Sequence, residues 1–247
     1  MALAHEFWIE ATEYQVDTGA MVEAGIFNGQ DFKGVELAWF DRRIAQAYWS
    51  TGETRGEFDA RVGDRKALKV KDAPEGLVRL VYQSTPTDLT YSDWAKFVSF
   101  VESKGHGWAV ARHNERGLSR ETVHESFTRY CKALVAVGDG RGEDMAAGMR
   151  HEIVALGNPY EDVSGGLEIA LLFEGDVLAG GQIDVFERAP DGTVVKSQLV
   201  SDTQGVATVP VRAGHTYLID SVVLLELNDG KTAWESLWAS LTFAVPE

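Results

Sequence analysis

The apolar and polar positions divide the chain into two stretches of different texture. From residue 165 onward, short β-rich runs alternate with turn signals, and 167–173, 182–187, 194–200, 206–211, 217–227 and 234–245 read as strands. Within 182–187 the pattern alternates, with Ile183 and Val185 on one face and Asp184 and Phe186 on the other. Asp191-Gly192 predicts a hairpin, because glycine accepts the positive φ that such turns demand. Glu174-Gly175-Asp176, residues 202–205, Ala213-Gly214 and residues 228–230 supply the other breaks. Short strands at this spacing match an immunoglobulin-like (Ig-like) sandwich of about seven strands.

The first part of the chain is mixed. Residues 6–10, 21–27, 35–40, 45–50 and 77–83 read as strands of a second, irregular sandwich. Residues 92–103 predict a helix, since Trp94, Phe97, Val98 and Val101 form one apolar stripe at i, i+3, i+4 and i+7. A second helix is expected over 119–137, with Ser119 as N-cap, Glu121 in the first turn, and Val123, Phe127, Tyr130, Cys131 and Leu134 on its buried face. Residues 138–148 contain four glycines and read as loop, and Asn158-Pro159-Tyr160 with Ser164-Gly165-Gly166 reads as a joint. The expected fold class is therefore mainly β: two β-sandwich (Ig-like) domains, 1–157 with two helices and 165–247 without.

Composition narrows the function classes. With 23 basic and 38 acidic residues, the net charge of −15 disfavours nucleic-acid binding. The acidity is uneven, since residues 165–247 hold 12 acidic and 4 basic residues. The longest apolar run, 221–227, falls far short of the roughly 20 residues of a spanning helix, so a membrane-spanning chain is not expected. Cys131 is the only cysteine, which excludes an intramolecular disulfide and reads as a small buried hydrophobe. No nucleophile elbow, H-E-x-x-H, phosphate-binding loop or dinucleotide fingerprint is present, and no catalytic residues are assigned.

Histidine placement carries the sharpest chemistry. Five of the six histidines, His5, His106, His113, His124 and His151, lie in the first part, and imidazole is a common ligand for nickel, copper and zinc. Ala2-Leu3-Ala4 is the small-residue pattern of a signal-peptidase site. Cleavage after Ala4 would make His5 terminal, so that its amino nitrogen and its imidazole could chelate one metal together. His106 and His113 bracket a segment that, if extended, puts them on opposite faces; His113 and His124 are joined by a short loop and can converge. The candidate metal ligands are His5, His106, His113 and His124. Two rival readings stand beside this one. An Ig-like interaction module would hold a protein or carbohydrate partner without metal, and a hydrolase would need a cleft with two carboxylates, one of raised pKa. Trp234 and Trp238 share a strand face that reads as core rather than as a sugar platform, and Trp39, Trp49 and Trp94 read as structural.

These residues also carry a resemblance. His5-Glu6-Phe7-Trp8-Ile9-Glu10 resembles the mature start of a bacterial exported family of unassigned function. Arg129, Tyr130, Lys132, Ala133 and Leu134 match its R-Y-x-K-A-L run; Leu156-Gly157-Asn158-Pro159-Tyr160 and Leu178-Ala179-Gly180 match its interdomain stretch; and residues 234–243 match its ending. The resemblance implies a domain-of-unknown-function, Ig-like protein of the periplasm, often labelled a component of cobalt or nickel uptake. The implied partner is a membrane metal permease or an outer-membrane receptor, and the implied cofactor is divalent nickel or cobalt, with copper or zinc as substitutes. Only His5 carries over as a leading histidine. The run 221–227 lacks the histidine that many members place there, although Glu226 offers an oxygen.

Overall fold

The computed structural model describes residues 5–52, 54–228 and 230–247. The Ala2-Leu3-Ala4 pattern and Asp229 lie outside the described residues. In chain order the first strands are β1 (Glu6–Ala11), β2 (Gln15–Val16), β3 (Val22–Gln30), β4 (Lys33–Leu37), β5 (Ile44–Thr51), β6 (Thr54–Gly56), β7 (Leu68–Val70), β8 (Gly76–Ser84) and β9 (Thr87–Tyr91). Helices α1 (Trp94–Ser103) and α2 (Trp108–Glu115) precede β10 (Val123–Val137) and β11 (His151–Ala155). The remainder is β12 (Leu167–Phe173), β13 (Asp176–Val177), β14 (Gln182–Arg188), β15 (Val194–Val200), β16 (Val206–Val209), β17 (Thr216–Glu226) and β18 (Trp234–Ala244). The protein is mainly β, with two α-helices among the described residues.

Three sheets form the frame. A ten-stranded sheet runs β15-β14-β17-β18-β10-β8-β5-β6, with β2 and β9 also paired to β10. One four-stranded sheet runs β1-β3-β4 with β7 on β3, and another runs β11-β12-β13 with β16 on β12. The large sheet is the middle layer. On one side Val78, Leu80, Tyr82, Cys131, Ala133 and Val135 pack with Ile9, Val22, Ala24 and Leu68 of the β1 sheet. On the other, Leu77, Leu134, Ile219, Leu241 and Phe243 pack with Ile153, Ile169, Leu171 and Val209 of the β11 sheet. The helices cover the end of the large sheet, where Phe97, Phe100 and Val101 meet Tyr91, Val222, Trp234 and Trp238.

The expected helix over 119–137 is instead the central strand β10. It pairs in parallel with β18 from Glu125↔Trp234 to Ala133↔Thr242, and antiparallel with β8 and β9. Nearly all of β10 is buried, because both of its faces are covered. Such a strand shows no polar alternation, and its apolar residues fall on helical spacing by default. Helix α1 forms as its stripe predicts, and the Asp93 carboxylate accepts the Ala95 N–H at 3.0 Å as its N-cap. The segment between His106 and His113, which would put them on opposite faces if extended, instead enters helix α2, which buries only Ala109 and His113. The hairpin at Asp191-Gly192 joins β14 to β15, with Gly192 at φ 84°.

Strands from both sides of residues 158–164 share the large sheet, since β18 lies between β17 and β10. Asn158 ties this segment down: its amide donates to the carbonyls of Gly140 (2.8 Å) and Gly142 (3.1 Å), and its oxygen accepts the Tyr160 N–H at 2.9 Å. The Tyr160 hydroxyl donates to Leu134 O at 2.7 Å.

A buried ionic cluster joins α1 to the sheets. Lys104 Nζ lies 2.7 Å from Asp220 Oδ2, 2.8 Å from Asp184 Oδ2 and 3.3 Å from Glu6 Oε1, and all four side chains are at most 5 % exposed. The carboxylates hold the lysine well above its ordinary pKa, despite burial that acts the other way.

Candidate functional site

Along β10, Glu125, Phe127 and Arg129 point to one face, as alternation requires. They form the floor of a cavity of about 410 Å³ between the large sheet and the β1 sheet with the chain that follows β4. Its walls are aromatic on both sides: Phe7, Trp39 and Phe40 from one layer, Tyr82, Tyr91 and Trp238 from the other. Phe7 stacks on Tyr82 with centroids 5.6 Å apart. The Trp39 indole N–H, held by Asp41 Oδ1 at 2.7 Å, fixes that ring.

Two charged groups stand in this apolar setting. The Arg129 side chain lies over the Trp238 ring at 4.0 Å and the Phe127 ring at 5.0 Å. Trp238 is its partner across the β10–β18 ladder, so the strand register itself sets the stack. Arg129 is 8 % exposed, and its Nε and Nη1 have no hydrogen-bond partner. Burial lowers its pKa from the ordinary arginine value, although it stays a cation. Glu125 is fully committed. The Tyr91 hydroxyl donates to Oε2 at 2.7 Å, and Ser236 Oγ donates to Oε1 while accepting the Trp238 indole N–H at 2.8 Å. Burial raises the Glu125 pKa against these hydrogen bonds and the nearby Arg129 charge. Arg43 and His5 also line the cavity. Glu125 is the only carboxylate among the described lining residues, so the two-carboxylate pair of a glycosidase-type site is not formed here.

The four predicted ligands have different surroundings. His5 reaches the cavity. His106 Nε2 lies 2.9 Å from Val222 O, and burial lowers its pKa. His113 is buried against Trp94, Phe97 and Trp234. The Trp234 indole N–H can only donate, so His113 Nδ1 accepts at 3.1 Å; Nε2 therefore carries the proton, donated to Ser119 O at 3.0 Å. Neither His113 nitrogen keeps a lone pair for a metal. His124 is exposed on β10, with Nδ1 3.0 Å from Thr90 Oγ1. Among the described residues, no three His, Cys, Asp or Glu side chains come together as a metal-binding group. Cys131 is buried as expected, its thiol pushed up to about 12 by burial. Sequence reasoning did not single out Arg129 or Glu125 as site residues. The signal available was two opposite charges four apart, which share a face in a strand as well as in a helix.

A family model matches residues 2–224, under the description "Domain of unknown function (DUF4198)". The chain belongs to the DUF4198 family. That description names no metal and no activity. Among curated proteins, none matches this chain. Among solved structures, the tetra-tandem repeat in the extending region of a large adhesion protein is 10% identical, with a TM-score of 0.23. That match covers 97% of this chain and 49% of the other, so the DUF4198 chain spans about half its length. The D0-D1 domain of intimin is 9% identical with a TM-score of 0.21, covering 97% of this chain and 98% of that one. No helix among the described residues is long and apolar enough to cross a membrane.

Proposed function

We propose that this DUF4198 protein is a non-catalytic binding module that takes a small molecule with an apolar body into the cavity between its sheets. One observation carries the reading: a volume of about 410 Å³ walled by aromatic side chains from two layers, within the size range of small-molecule sites. Such a surface left to water costs free energy that a ligand recovers. The site suits binding rather than hydrolysis, because its one carboxylate is already engaged by two hydroxyls.

The test is titration with the uncharged fluorophore N-phenyl-1-naphthylamine. Emission should rise with saturable binding, and Ala38→Trp, which fills the cavity from its wall, should weaken it by at least about tenfold. Equal binding by both proteins would place the probe elsewhere and refute the reading. The nickel or cobalt carrier reading is supported by the resemblance and by His5. Calorimetric titration of those metals into chains starting at Met1 and at His5 tests it, with stronger binding expected for the His5 form.

A further inference from the structure

We infer that the cavity's ligand is a monoanionic carboxylate with a planar apolar body, its carboxylate bound by Arg129 and its body lying among the aromatic walls. This deepens the binding-module reading and rests on it. A guanidinium more than nine-tenths buried normally has its donors paired, yet Nε and Nη1 of Arg129 have no acceptor. The carboxylates nearest in charge are engaged elsewhere: Glu125 by Tyr91 and Ser236, Glu6 and Asp220 Oδ2 by Lys104. Asp220 Oδ1 is also unpartnered, but Asp220 does not line the cavity. The lining carries Arg43 and Arg129 against Glu125, a local positive excess in a chain of net charge −15.

Each remaining feature narrows the ligand. A carboxylate takes charge-assisted N–H bonds from a guanidinium, and the stack on Trp238 already holds that guanidinium in place. A dianion such as a phosphate monoester would set its second charge against Glu125, which favours a single negative charge. Aromatic walls favour a planar apolar body over a polyhydroxylated one.

The experiment is calorimetric titration of the full chain with 3-phenylpropionate, its amide 3-phenylpropionamide, and galacturonate. The acid should bind about tenfold or more tighter than the amide, a gap set by the hydrogen bonds to charge. Galacturonate should bind more weakly than 3-phenylpropionate. Arg129→Met keeps a similar volume and should bring acid and amide to equal affinity, while N-phenyl-1-naphthylamine binding persists as proof that the cavity is intact. Equal affinity of acid and amide for the wild type would overturn the inference and leave the cavity reading standing. Tighter binding of galacturonate would overturn the apolar body. Loss of naphthylamine binding in the wild type would overturn the cavity reading itself.

Discussion

Lys104→Met should be among the most damaging single substitutions in the protein, and its cost should depend on pH in a defined direction. Lys104 neutralises three carboxylates that are 1–5 % exposed, at 2.7, 2.8 and 3.3 Å. Removing the ammonium leaves Glu6, Asp184 and Asp220 buried together, with Lys196 3.3 Å from Asp184 and the Arg129 charge acting on Asp220 and Glu6. Breaking a buried pair by deleting one partner costs about 3–5 kcal/mol. Three stranded carboxylates place this case at the upper end, about 5 kcal/mol at pH 7.5, until one of them takes up a proton. In the wild type Lys104 and neighbouring hydrogen bonds hold Asp184 below its ordinary value, so its contribution is present above the unfolded pKa and is lost on acidification. In the variant the stranded carboxyls have raised pKa values, so their folded state is favoured at low pH and penalised as pH rises through those values. The gap between the two proteins should therefore narrow between pH 7.5 and 4.5. Urea unfolding followed by tryptophan fluorescence at both pH values measures it, and Lys104→Met/Asp220→Asn should recover part of the loss. A loss below about 1 kcal/mol at pH 7.5, or one that does not change with pH, would mean that Lys104 does not hold a buried ionic cluster, because a pair that weak behaves as an exposed one.

Three further outcomes follow from buried polar groups. Burial depresses the His151 pKa from 6.5 to about 4, so its contribution is complete above pH 6.5 and falls as pH drops; about 2 kcal/mol of the wild-type loss between pH 8 and 5 should vanish in His151→Gln. His113→Phe strips partners from Trp234 and Ser119 and should cost about 1–3 kcal/mol in urea unfolding, while leaving any nickel affinity unchanged, since His113 has no free lone pair. Asn158→Ala, which removes the bonds to Gly140, Gly142 and Tyr160, should cost about 1–3 kcal/mol and speed proteolysis within 138–148.

Much of the β framework is legible from local pattern, because alternation and turn chemistry act over a few residues. Asp191-Gly192 marks its hairpin, and the strands read at 6–10, 77–83 and 167–173 form as β1, β8 and β12 within a residue or so at each end. Strand β10 fails for a tertiary reason: a strand covered on both faces loses its polar rows, and Val123, Phe127, Tyr130 and Leu134 then imitate a helical stripe. Helix α2 escaped because eight residues with two buried positions give almost no periodic signal. The site was hidden further, since it depends on a parallel pairing of β10 with β18 between residues more than a hundred positions apart. Only that register places Trp238 under Arg129 and Ser236 beside Glu125. Histidine placement along the chain gave no sign that both nitrogens of His113 are engaged, by groups from β18 and from the loop before β10.

The most direct test of the cavity as a binding site is a crystal structure grown with 3-phenylpropionate. The phenyl ring should lie in the cavity against its aromatic walls, with the carboxylate on the Arg129 guanidinium. A cavity holding only ordered water, or closed by rotation of Trp39 or Phe127 into it, would contradict the account.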